Sequence, residues 1–198
     1  MKTASLVVIV AAACATTTHQ GPSPRVVAPA PYTPADVHFM AGMIGHHAQA
    51  VLMAGWAPSH EASAAVRALC ERIVVGQRDE IVLMQRWLEE RHEPVPVVDP
   101  AHFTMPGMDR SMLMPGMLSA EQLAQLDRAR GTEFDRLFLT FMIQHHQGAI
   151  TMVNQLFGSH GGGEQETVFR FASDVFADQS TEIDRMTRML DALRRSPM

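Results

Sequence analysis

Phe39–Ala54 reads FMAGMIGHHAQAVLMA, and Phe138–Val153 reads FLTFMIQHHQGAITMV. Set side by side without gaps, the two stretches match at Phe39/Phe138, Met43/Met142, Ile44/Ile143, His46/His145, His47/His146, Ala50/Ala149 and Met53/Met152. Asp36 and Asp135 fall in register just upstream. At about 100° per residue, Asp36, Phe39, Met43, His46, His47, Ala50 and Met53 share one broad face, the pattern of a helix with one buried side.

Working outward, a second match follows each stretch. Gln77-x-x-Glu80-Ile81-x-x-Met84-x-x-x-Leu88 repeats as Gln179-x-x-Glu182-Ile183-x-x-Met186-x-x-x-Leu190. A repeat shared by two successive helices predicts two copies of one helical hairpin. Pro58-Ser59-His60 and Gly158 to Gly163 mark the hairpin joints. Thr33-Pro34-Ala35-Asp36 is a helix start, with a capping hydroxyl, proline in the first turn and an acid at the positive dipole end. Ser119-x-x-Gln122 is a capping box that opens a third helical region, and Gly131 interrupts it. The expected fold is all-α: a four-helix bundle over 33–198, with repeat one at 33–92, a Met-rich linker at 93–118 and repeat two at 119–195.

A hydrophobic fraction of 46% suffices for a core, and a net charge of -5 argues against a nucleic-acid partner, which needs clustered basic charge. Lys2 followed by the apolar run Leu6–Ala13 reads as an export signal over 1–13, too short for a membrane-spanning helix. It ends at Ala11-Ala12-Ala13-Cys14, compatible with lipidation of Cys14 or with cleavage after Ala13. Residues 14–32, rich in Thr, Pro and Ala, read as a flexible tether. The expected location is therefore the periplasm or a lipid anchor on the bacterial envelope. Cys70 is the one cysteine of the domain, so no intramolecular disulfide forms within it, and its place in a helical pattern suits a small buried residue.

Fifteen methionines and ten histidines make soft ligands abundant. Met43 lies one turn before His46 and His47, and Met142 one turn before His145 and His146. A thioether and imidazoles at that spacing form a partial site for Cu(I), which favours soft ligands. Met53 and Met152 continue the same faces. The linker carries Met105, Met108, Met112, Met114 and Met117, five thioethers among prolines and glycines where no regular helix face can form. The competing reading makes the histidines packing groups bonded to Glu80, Glu182 or the two glutamines, and the linker a hydrophobic flap. His60 and His160 do not align in the repeat and read as surface residues.

Glu80 and Glu182 also admit a ferritin-like centre holding iron or manganese, as an oxidase or storage protein. The Glu-x-x-His pairing of such bundles is missing, and so are the common catalytic motifs. No catalytic residue is assigned. A third alternative is an envelope interaction module without metal, its Met-rich loop gripping partner helices.

The doubled MIGHHAQAVLMA and MIQHHQGAITMV helices, each followed by Gln-x-x-Glu-Ile-x-x-Met, resemble the domain of unknown function 305 family. The likeness spans roughly residues 34–195, with Trp87-Leu88 and Met189-Leu190 at the second-helix ends. Gly45 and Val153 depart from the family's usual residues without removing a ligand. The resemblance implies exported, ferritin-like four-helix proteins, some of them linked to copper binding and resistance. Function on this basis is Cu(I) sequestration, tolerance or transfer, with copper-handling envelope proteins as partners and the oligomeric state open.

Overall fold

The computed structural model describes residues 31–99 and 114–195. Cys14, Met105, Met108 and Met112 lie outside the described residues, as do the signal and nearly all of the tether. Five helices run in order: α1 (Pro34–Gly55), α2 (Ala64–Glu89), α3 (Ala120–Arg128), α4 (Gly131–Gly158) and α5 (Glu166–Arg195). Among the described residues there is no strand, and no helix is long and apolar enough to cross a membrane. The four long helices are those of the repeat. The third helical region resolves into the short α3, and Gly131, at φ +56°, turns the chain into α4.

Local chemistry sets the ends. Asp36 N–H donates to Thr33 Oγ1 at 3.3 Å, and Thr33 N–H donates to Asp36 Oδ2 at 2.7 Å, closing the box at the head of α1. Ser119 and Gln122 do the same for α3. Each such cap is worth about 1 kcal/mol.

α1 packs on α2, α4 packs on α5, and the two hairpins join through α1 against α4. The core falls into two clusters. One gathers Ala50, Met53, Leu69, Ile73, Phe138 and Met142, and the other Phe39, Met43, Met84, Ala149, Met152 and Phe171. The head of α1 therefore meets the tail of α4, and the two run antiparallel. Most helical methionines are core, as their spacing predicts.

The aligned aspartates tie each hairpin to the other. Asp36 Oδ1 accepts the buried N–H of Gly163 at 2.7 Å, in the α4–α5 turn. Asp135 accepts the N–H of Ser63, in the α1–α2 turn, at 3.1 Å. Each buried acid so satisfies a backbone donor that the apolar surroundings would leave stranded.

Two expectations are corrected. His60 is buried, not superficial: its ring lies against Trp56, and its Nε2–H donates to the Asp127 carbonyl at 2.8 Å, joining the first turn to the end of α3. His160 is exposed as expected. Met114 and Met117 are not exposed loop thioethers but buried, at 7% and 4% exposure. The segment carrying them docks on α4 by a glycine contact: a Cβ on Gly148 would collide with the Pro115 carbonyl, and one on Gly116 would stand 2.6 Å from the Gln144 oxygen. Gln49 completes the seam, accepting from Leu118 N–H at 2.8 Å and donating to its carbonyl at 3.1 Å.

A candidate metal centre of paired imidazoles

Because α1 and α4 cross antiparallel at equivalent points, the repeat-related residues His46 and His145 meet, ring centroids 3.8 Å apart and ring planes inclined at 39°. All four histidines of the two pairs are fully buried, and so are Met43 and Met142. His47 and His146 turn outward towards the second helix of their own hairpins. His47 Nε2–H donates to Glu80 Oε2 at 2.8 Å, and His146 Nε2–H donates to Glu182 Oε2 at 2.7 Å.

The inner pair is less symmetric. His46 Nε2 lies 3.0 Å from the Pro115 carbonyl, which can only accept, so Nε2 carries the proton. His145 has no such partner. Among the described residues, Nδ1 of His46, His47 and His146 and both nitrogens of His145 are buried without a hydrogen bond. In the neutral ring an Nδ1 whose Nε2 is the donor presents a bare lone pair. Buried polar atoms are nearly always partnered, so five orphaned nitrogens in one layer call for an explanation.

Burial, reinforced by the neighbouring His47, pushes the His46 imidazole down to about 3. Burial and the neighbouring histidines likewise hold His145 well below the usual range. Both are neutral bases at physiological pH, the form that binds a metal. Burial also raises the Cys70 thiol to about 12, with Asp135 adding to the effect, so Cys70 is an unreactive core residue.

Glu80 and Glu182 each keep one face to water, on a cleft of about 310 Å³ between α2 and α5. Gln77, Gln179 and Asp178 line it with them. Burial, with Glu80, Asp174 and Glu182 nearby, raises the Asp178 carboxyl. The carboxylates hold separate histidines. Among the described residues no three His, Cys, Asp or Glu side chains stand together as a metal-binding group. What the layer offers is imidazole nitrogen and thioether sulfur, a soft donor set.

Of the sequence-predicted residues, His46 and His145 meet at the crossing of α1 and α4, with His146 beside His145 at 6.2 Å between ring centroids, while Met43 and Met142 fall in opposite core clusters. Met53 and Met152 lie farther along the same helices in opposite core clusters, and Met114 and Met117 flank the carbonyl that holds His46. That carbonyl was not foreseen; the one hint was a Pro-Gly pair inside a run of methionines.

The sequence profile described as "Domain of unknown function (DUF305)" matches residues 36–190. The chain belongs to the DUF305 family. A crystal structure of a DUF305 fragment from Deinococcus radiodurans is 29% identical, covering 82% of this chain and 99% of that one, at a TM-score of 0.69. A DUF305 protein from Streptomyces coelicolor is 26% identical, covering 83% and 96%, at 0.67. CopM in its Cu(I)-bound form is 27% identical, covering 79% and 96%, at 0.61, and CopM has also been solved with Cu(II) and with silver. No curated protein matches the chain. The DUF305 relatives share the helical bundle.

Proposed function

We propose that this DUF305 protein binds Cu(I) outside the cytoplasm, for sequestration or transfer rather than catalysis, at the layer of paired imidazoles. The observation that carries the reading is the set of orphaned nitrogens on His46, His47, His145 and His146. A metal ion would use the lone pairs that no protein group uses. The Pro115 carbonyl, Glu80 and Glu182 would orient the rings from their far nitrogens, the usual support of a metal-bound histidine. Met43 and Met142 supply sulfur from the preceding turn, and sulfur favours Cu(I) over harder ions. The copper- and silver-bound forms of CopM support the same choice. The apolar run behind Lys2 and the description of the Streptomyces coelicolor relative as a candidate secreted protein support export.

The test is elemental analysis of the full chain, purified without oxygen from cells supplied with copper, iron and manganese together. The expected result is at least about one copper per chain, falling by about one ion per chain when His46 and His145 are both replaced by leucine. Iron or manganese in its place, no metal, or copper unchanged in the double variant would overturn the proposal.

A further inference from the structure

A pocket of about 300 Å³ opens between the start of α1, the end of α4 and the docked linker. Met114 and Met152 both line it, and His38 stands exposed beside them. Each methionine is 7% exposed, so it belongs to the body of the protein yet borders a solvent-accessible space. The three residues come from three separate segments. Phe39 and Leu156 make much of the remaining wall, and no carboxylate lines it.

We propose that this pocket is a second metal site, specific for a soft monovalent cation such as Cu(I) or Ag(I), with Met114 and Met152 as sulfur ligands and His38 as the nitrogen ligand. An apolar wall without carboxylates gives a hard, strongly hydrated ion nothing in exchange for its water, whereas thioethers and imidazole suit a soft one. Met114 is not free to wander: the contact of Gly116 on Gly148 and the pairing of Gln49 with Leu118 anchor the segment that carries it. The pocket is also distinct from the imidazole layer. Pro115, the residue after Met114, turns its carbonyl to His46, so one docked segment borders both places.

The experiment is a titration of the full chain with Ag(I), followed by the ¹³C-methyl resonances of its methionines. The Met114 and Met152 methyl signals are expected to shift together and to saturate. Met114→Leu combined with Met152→Leu, near-isosteric changes, should lower the silver bound by one ion per chain while the circular dichroism is kept. His38→Ala should weaken the response of both methyls about 10-fold or more, since even the loss of an outer-shell partner of a metal site costs about that much. The shifts should persist when His46 and His145 are leucine, which separates this site from the imidazole reading. Methyl signals of Met114 and Met152 that stay unmoved at saturation, or an unchanged silver count in the double methionine variant, would overturn it.

Discussion

Replacing His145 with leucine should make the metal-free protein more stable, the opposite of what a core substitution usually does. His145 is fully buried with both ring nitrogens unpartnered. An unsatisfied buried polar group costs about 1–3 kcal/mol, and leucine of similar volume removes that cost. The variant loses the ring contact with His46, worth about 0.5–1.5 kcal/mol. The net expectation is a gain of about 1 kcal/mol at pH 7.5, or roughly 2–4 °C in Tm for a chain of this size.

Acid should widen the gap. Burial depresses His145 and His46 in the folded protein, so the unfolded chain takes up their protons first. Stability is then fully present above about pH 6.5 and falls as pH drops, by at most about 1.4 kcal/mol per pH unit for each imidazole. For His46 the loss continues down to about 3. His145→Leu removes one of these two losses. Urea unfolding of the metal-free chains at pH 7.5 and pH 5 measures both effects. A variant clearly less stable than wild type at pH 7.5, with a gap that does not reverse at pH 5, would refute the account of His145 as an orphaned ligand. Cu(I) should raise the Tm of the wild type by more than that of the variant, since a ligand stabilises only the state that binds it.

Glu182→Gln should keep the helix and the hydrogen-bond reach but weaken Cu(I) binding about 10–100-fold, read by competition with a Cu(I) chelator, because the carboxylate charge that orients His146 and raises its basicity is lost. Gly148→Ala should cost about 1–3 kcal/mol by overpacking and free the docked linker, since the new methyl meets the Pro115 carbonyl; faster proteolysis around residues 114–118 would report the release. Cys70 should not react with a thiol reagent at pH 8 in the folded protein, and should react at once in urea, because burial holds its thiol near 12.

The helices were legible because their information is local. Periodicity placed the faces, and Thr33 with Pro34, Ser119 with Gln122, and Gly131 marked boundaries through chemistry within a single turn. The His–Glu pairs were half legible, since Glu80 and Glu182 were named as partners but not divided between histidines. The contact of His46 with His145 spans 99 positions and depends on where two helices cross, which no local pattern states. The Pro115 carbonyl spans 69 positions from His46, and it reaches the ring because two glycines let backbones touch. Met114 and Met117 read as loop residues because a segment without helical period carries no sign of what lies beneath it. His60 was misread for the same reason: its burial is made by Trp56, Asp127 and Phe134 jointly.

The reciprocal bonds of Asp36 to the second turn and Asp135 to the first give the molecule an approximate twofold axis. That axis passes between His46 and His145. Donors placed by such a symmetry come in twos, one from each half: His46 with His145, His47 with His146, Met43 with Met142. An ion resting on the axis faces like donors on opposite sides, and an ion displaced from it has an equivalent position waiting across the axis. The docked linker breaks the equivalence by occupying one nitrogen of His46 and none of His145. On the proposed reading the two positions would therefore be unequal in energy, and an ion held between the halves would have a preferred side.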